Sequence, residues 1–489
     1  MTDPFDPLDL AALEAAARER LERGVYDYIA GGADAELTLA DNLAAWSRLR
    51  LRPRVLRDVT EVSTATTLLG SQVPTPLLVA PMAYHRMAHP DGEAASAAGA
   101  AAAGAAYVCS TQATMSVEEV ADAAPDALRW FQVYVVRDRG WTADLVARAA
   151  AAGYRALVLT VDVPLLGTRL RDLRNDFRLP TGLKPANAPP AGAARQRELA
   201  VDVLAQAGQF DPALTPDTIA WLAERSGLPV VVKGVLRADD ALACLDAGAV
   251  GVVVSNHGGR QLDGVVATAD ALSEVAEAVG GRAEVYVDGG IRRGTDILKA
   301  LALGARAVLI GRPVLWGLSA DGAAGVERVL SGLTAELRLA MALCGAVSLA
   351  EVTADLIAGH ASPGPAGAGS PGGGSVAQPR MEGAALSTPQ ARHPRRRTPW
   401  LSHPRGSLSP VIDVWWCLHQ EASVHPLLLD ELAAARVDDL RRQAARERRA
   451  LPLLRPSPVA RAARRSLHAF GFLLVGAGLR LVTAGERLR

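Results

Sequence analysis

Between about residue 75 and residue 312, short apolar runs alternate with alanine-rich stretches of helical character. The runs are Leu77-Leu78-Val79-Ala80, Tyr107-Val108-Cys109-Ser110, Phe131-Gln132-Val133-Tyr134, Leu157-Val158-Leu159-Thr160-Val161, Val230-Val231-Val232-Lys233, Gly251-Val252-Val253-Val254, Val285-Tyr286-Val287-Asp288 and Ala307-Val308-Leu309-Ile310. They are continuous rather than alternating, which is the pattern of strands buried on both faces, in a parallel sheet covered by helices. Eight strand–helix units in a region of this size predict a closed α/β structure, the (β/α)8 or TIM barrel, over an open doubly wound sheet. A helical N-terminal segment precedes it. The polar residues collect at the C-terminal ends of the runs: Ser110, Gln132 with Tyr134, Thr160 with Asp162, Lys233, His257 with Arg260, Asp288, and Gly311 with Arg312. In a barrel those ends open onto one mouth, so side chains far apart in sequence converge there.

Outside the periodic region the pattern changes. Residues 181–215 form a long stretch rich in Pro, Ala and Gly, which reads as a lid or a disordered loop. Residues 361–375 have the composition of a flexible linker, and the disorder is expected to continue through Arg395-Arg396-Arg397 to about residue 409. The chain therefore divides into a barrel over 1–360, a Pro/Gly/Arg-rich linker over 361–409 and a small basic helical tail over 410–489. In the tail, Leu428, Leu432, Ala435 and Leu440 share a helical spacing, and Phe470 to Val475 is apolar but too short to span a bilayer.

Charge sharpens this division. The net charge of zero hides a split: residues 361–489 hold 19 Arg, no Lys and 9 acids, leaving 33 basic and 43 acidic residues in 1–360. Residues 361–489 are therefore +10 and residues 1–360 −10, an asymmetry that suggests different partners for the two parts. A weak contact of the tail with an anionic membrane surface suits its composition, with a plain helical appendage as the alternative. The four cysteines stand singly and suggest neither disulfides nor a metal site, and the acidic start lacks a secretory pattern. These features point to a cytoplasmic protein, in peripheral contact at most with the inner face of the membrane, and to no nucleic-acid partner.

The candidate chemistry lies in Ser255-Asn256-His257-Gly258-Gly259-Arg260-Gln261-Leu262-Asp263. An imidazole can take a proton near neutral pH, a guanidinium can grip a carboxylate with two hydrogen bonds, and the glycines admit a ligand close to the backbone. The alternative is a core histidine beside an incidental arginine. Asp288-Gly289-Gly290-Ile291-Arg292-Arg293-Gly294 follows strand seven and Gly311-Arg312-Pro313 follows strand eight, the usual phosphate site of such barrels. Lys233 is one of only three lysines, at a strand end where it needs a negative partner; Asp162 is one choice. Asp162 is better read as the carboxylate that orients His257. Arg169, ahead of Arg171, offers a second guanidinium for a substrate carboxylate.

In this order the motifs resemble those of the FMN-dependent L-2-hydroxy acid oxidases and dehydrogenases, the family of glycolate oxidase, lactate oxidase and mandelate dehydrogenase. The resemblance runs from about Asp9 to Leu356. It implies FMN as cofactor and oxidation of an (S)-2-hydroxy acid to the 2-oxo acid. Electrons would pass to oxygen, giving hydrogen peroxide, or in a dehydrogenase to a quinone or carrier protein; a catalytically idle flavin-binding scaffold is the remote alternative. His257 is implied as the base with Asp162 paired to it, Arg169 and Arg260 as carboxylate ligands, and Tyr28 and Tyr134 as contacts to the substrate. Pro81, Met82, Ala83, Ser110, Gln132, Thr160 and Lys233 would surround the flavin ring. Ser255, Asp288, Gly290, Arg292, Gly311 and Arg312 would hold its ribityl phosphate. A homotetramer or larger assembly is also implied. Gln112 stands where plant glycolate enzymes have an aromatic residue, and Met82 and Tyr84 are larger than their counterparts. Mandelate or a medium-chain acid is therefore expected to be preferred to glycolate.

Overall fold

The eight runs form the eight parallel strands of a closed barrel, as predicted. A computed structural model describes residues 8–188 and 209–359 of the chain. Three helices come first: α1 (Leu10–Arg20), α2 (Arg23–Ala30) and α3 (Leu37–Arg48). An antiparallel hairpin of β1 (Thr66–Leu68) and β2 (Ser71–Val73) follows. The barrel strands are β3 (Leu77–Val79), β4 (Ala106–Ser110), β5 (Arg129–Val133), β6 (Leu157–Thr160), β7 (Val230–Val235), β8 (Gly251–Val254), β9 (Glu284–Val287) and β10 (Ala307–Ile310). β10 pairs back onto β3, with Val308 opposite Leu77, and closes the sheet. The helices between them are α4 (Gly92–Ala102), α5 (Val117–Ala123), α6 (Arg139–Ala151), α7 (Leu170–Arg174), α8 (Asp217–Ser226), α9 (Ala238–Asp246), α10 (Thr268–Val279) and α11 (Gly294–Ala302), with α12 (Arg312–Leu343) after the last strand.

Although the runs are apolar throughout, their side chains sort by parity. Leu78, Val108, Trp130, Val158, Val231, Val253, Tyr286 and Leu309 fill the barrel, whereas Val79, Phe131, Leu159, Val232, Val254, Val287 and Ile310 pack under the helices. Successive residues of a strand face opposite sides, so one apolar run supplies both layers. Leu68 and Val73 join the inner cluster, so the hairpin plugs the N-terminal end of the barrel. Glu284 fastens it by accepting from the Leu69 amide at 3.2 Å. With that end sealed, the C-terminal mouth is left for chemistry.

α12 is broken at Asp321 and Gly322, where φ and ψ leave the helical region. Gly317 and Gly325 meet across the corner: a Cβ on Gly325 would lie 1.9 Å from the Gly317 carbonyl oxygen. No helix among the described residues is long and apolar enough to cross a membrane. The linker 361–409, the tail 410–489 and residues 189–208 of the expected lid lie outside the described residues.

Candidate active site

The mouth holds a cleft of about 1210 Å3, open end included, lined by residues from Tyr28 in α2 to Leu315 in α12. Of the predicted site residues, Tyr28, Pro81, Met82, Ala83, Ser110, Tyr134, Arg169, Lys233, His257, Arg260, Asp288, Gly290, Arg292, Gly311 and Arg312 all line it.

His257 stands just beyond the end of β8 with φ +59°, followed by Gly258 and Gly259, also at positive φ. Left-handed backbone is costly for a residue with a Cβ, and here it turns the imidazole back over the barrel. The turn is anchored by a reciprocal amide pair in which Asn42 and Asn256 donate to each other at 2.8 Å. His257 Nδ1 lies 2.9 Å from Asp162 Oδ1, and Nε2 is 3.4 Å from the Tyr134 hydroxyl. Burial lowers the histidine pKa against the pull of Asp162, and Lys233 and Arg169 add to the lowering. Asp162 feels burial in the opposite sense, but His257 and Lys233 outweigh it and hold the carboxyl below its usual range. The pair is therefore a neutral imidazole donating from Nδ1 to a carboxylate, which leaves Nε2 as the acceptor facing the cleft. Gly234 makes room for this: a Cβ there would come 2.7 Å from the Asp162 side chain.

Positive charge dominates the rest. Arg260 Nη1 donates to the carbonyls of Tyr28 at 2.7 Å and Gly31 at 2.9 Å. Burial and then Arg169 push its pKa down to about 10. Arg312 donates to the carbonyls of Ile29, Gly31 and Gly258 at 3.0, 2.8 and 3.1 Å, and burial with Arg260 and Arg292 brings it down to about 9. The Gly31 oxygen is thus shared by both guanidiniums. Apart from that of Gly258, these carbonyls end α2 or follow it, where the helix dipole is negative. Arg169 Nε is buried without an acceptor, and the Arg169 and Arg260 guanidiniums lie 5.7 and 5.0 Å from the centre of the Tyr28 ring. Among the described residues none of Arg169, Arg260, Arg292 and Arg312 forms an ion pair. Half-buried guanidinium groups at a cleft with no direct ion-pair partner suit anionic ligands. A carboxylate between Arg169 and Arg260 and a phosphate at Arg292 and Arg312 both meet that demand, so the residues fit FMN.

Asp288 departs from the expectation. Its Oδ2 is 3.1 Å from Lys233 Nζ rather than offered to a phosphate, which a carboxylate would repel, and Lys233 also donates to Ser255 Oγ at 2.8 Å. Burial disfavours the ammonium, but Asp288 and Asp162 together hold its pKa above normal. Asp288 Oδ1 is buried and unbonded, and suits a ribityl hydroxyl better. Ser255 likewise serves as a brace, accepting from Lys233 and from the His257 amide at 3.1 Å. Gln132 and Thr160 form a buried polar layer at the strand ends: Gln132 donates to Thr160 at 3.0 Å and accepts from Ser110 at 3.1 Å.

Sequence reasoning missed the apolar wall of the cleft, Val163, Leu166 and Phe210. Phe210 stacks on Tyr134 with ring centres 4.3 Å apart. Val163 and Leu166 follow the Asp162 strand end, and that position was their available signal; Phe210, inside a Pro/Ala-rich loop, had none. Gln112 accepts from the Tyr84 hydroxyl at 3.0 Å at the side of the same cleft.

Residues 17–359 match the FMN-dependent dehydrogenase family. The chain is 50% identical over 360 residues to the L-lactate oxidase of Nostoc sp., covering 72% of this chain and 98% of that protein. It is 48% identical over 347 residues to the glycolate oxidase of Spinacia oleracea, covering 71% and 94%. A crystal structure of mandelate oxidase superposes with a TM-score of 0.65 at 46% identity, covering 70% of this chain and 96% of that one.

Proposed function

Because this chain belongs to the FMN-dependent dehydrogenase family, we propose that the cleft oxidises an (S)-2-hydroxy acid to the 2-oxo acid and passes the electrons to oxygen, giving hydrogen peroxide. The observation that carries the reading is the His257–Asp162 pair at 2.9 Å beside two half-buried guanidinium residues, Arg169 and Arg260, that form no ion pair among the described residues. Bound FMN supplies the acceptor for the two electrons that the alcohol carbon loses. Arg292, Gly290, Gly311 and Arg312 would hold its phosphate, Asp288 a ribityl hydroxyl, and Pro81, Met82, Ala83, Ser110, Gln132, Thr160 and Lys233 its ring.

Arg169 and Arg260 clamp the substrate carboxylate, Arg260 keeping Nε and Nη2 for it while Nη1 is held by the α2 carbonyls. Tyr28 and Tyr134 place the carboxylate and hydroxyl. His257 Nε2 takes the proton, and Asp162 stabilises the imidazolium so formed without itself being protonated. Two carboxylate anchors and one base define a single face of the carbon, so the (R) enantiomer is a poor substrate. Val163, Leu166, Phe210 and Met82 offer the side chain an apolar wall, which favours (S)-mandelate or a medium-chain acid over glycolate.

The test is oxygen uptake and peroxide production by the purified, FMN-loaded protein across a panel of 2-hydroxy acids, with the flavin spectrum followed anaerobically. Uptake with (S) substrates is expected. Anaerobic bleaching without oxygen uptake would replace the oxidase with a dehydrogenase serving a quinone or carrier protein, and no bleaching with any acid would reject the reading. A clear preference for glycolate would overturn the substrate ranking. A homotetramer or larger assembly belongs to the same proposal, and the exposed Val55 and Leu56 are apolar surface that a second copy would cover. A monomeric mass by light scattering would remove that part.

A further inference from the structure

Arg171 lines no part of the cleft, yet it ties together the two segments that close it. The strap after β6 carries Arg169, and α2 with its following turn carries Tyr28. Away from the cleft, Arg171 Nη2 donates to Glu36 Oε2 at 2.6 Å, and Nη1 lies 3.5 Å from Asp27 Oδ1. Asn175 donates to the other Asp27 oxygen at 2.8 Å, and the Asp34 amide donates to the Thr168 carbonyl at 2.9 Å. Glu36 Oε1 accepts from the Gly32 amide at 2.9 Å, so this one carboxylate pins both the strap and the turn. Glu36 has φ +62°, a left-handed conformation that costs a residue with a Cβ and that accompanies this back-folded carboxylate. Gly31 leaves space for the arginine stem, since a Cβ there would lie 3.2 Å from Arg171 Cδ. On the cleft side the same two segments meet through Tyr28, which stacks on Phe177 with ring centres 4.7 Å apart.

We propose that Arg171 is a positioning residue: through Glu36 and Asp27 it locks the strap bearing Arg169 onto the segment bearing Tyr28, so that both groups meet the substrate carboxylate in fixed register. The inference rests on the reading of Arg169 and Tyr28 as carboxylate ligands. A partly exposed ion pair by itself adds little stability. Its effect here is on geometry: a displaced Arg169 or Tyr28 loosens the grip on the substrate carboxylate. Burial works against ionisation of Glu36, yet the Arg171 and Gly32 hydrogen bonds keep its pKa below the usual value, in agreement with a formed pair.

The test uses full-length, FMN-loaded protein and the best substrate of the hydroxy-acid panel. Arg171→Met should raise KM by about tenfold or more while kcat at saturation stays within about threefold. Arg171→Lys should recover part of the loss, and Arg171→Glu combined with Glu36→Arg more than either change alone. Melting temperature and FMN content should hold. An unchanged KM, or a parallel loss of kcat, FMN and thermal stability, would leave Arg171 a merely structural role and overturn the proposal. Amide exchange of residues 168–177 supplies a readout independent of turnover. Faster exchange in Arg171→Met is expected, and unchanged exchange refutes the lock even if wild-type protein oxidises no hydroxy acid. That last result would separately reject the functional reading.

Discussion

His257 must be neutral to take a proton, and burial, with Lys233 and Arg169 nearby, keeps it so by lowering its pKa below the ordinary 6.5. The sign follows directly: the base is competent at pH 7, and kcat/KM falls only as the pH drops through a value under 6.5. A pH profile with its acid limb above that value would contradict the electrostatics. His257→Gln should abolish anaerobic bleaching of the flavin by substrate while FMN content stays near normal, and near-normal bleaching would exclude His257 as the base. Arg260→Lys should weaken substrate binding by on the order of 2–5 kcal/mol, because an ammonium cannot reproduce the fork, and KM would report it. His257, Arg260 and Asp162 were legible in the sequence because each sits at or just beyond a strand end in an unusual local context. The use of Asp288 was not. Nothing in the string says whether a carboxylate after a strand faces a neighbouring lysine or a ligand, since that depends on the stagger of β7 against β9.

Elements were readable to the extent that burial dictates them. Continuous apolar runs marked all eight barrel strands, because helices outside and packed side chains inside leave no polar face. The hairpin β1–β2 was not visible: each strand is three residues long, too short for a periodicity, and its job is to plug the barrel end. The break in α12 was equally hidden, although Gly317, Gly322 and Gly325 are its trace in the sequence. At that corner Gly325→Ala would force a Cβ to within 1.9 Å of a carbonyl oxygen. The packed backbone cannot absorb this cheaply, and the expected cost is about 1–3 kcal/mol or more. Thermal denaturation of the FMN-loaded protein should show a melting point lower by several degrees, and an unchanged one would mean that the corner relaxes freely.

At the scale of the whole molecule, every described residue assigned to the cleft lies between Tyr28 and Leu315, ahead of the basic extension in the sequence. Truncation after Gly359 should leave a flavin-loaded enzyme with unchanged turnover, and loss of activity would refute the modular division. If the +10 segment contacts anionic lipid, full-length protein should sediment with anionic vesicles in a salt-sensitive way and the truncated form should not. Equal sedimentation would dismiss that role. Within the barrel, by contrast, division fails at one atom. The Gly31 carbonyl oxygen accepts from Arg260, assigned to the substrate, and from Arg312, assigned to the phosphate. Because that acceptor belongs to the main chain, no exchange of side chains removes it, and the tie is insulated from ordinary mutational drift. Only a change in the path of the backbone reaches it. Gly31→Ala, whose Cβ would press to 2.6 Å from the Asp27 carbonyl, should therefore have no single-site phenotype. Retention of FMN and affinity for the hydroxy acid should decline together, in a lineage as in a test tube.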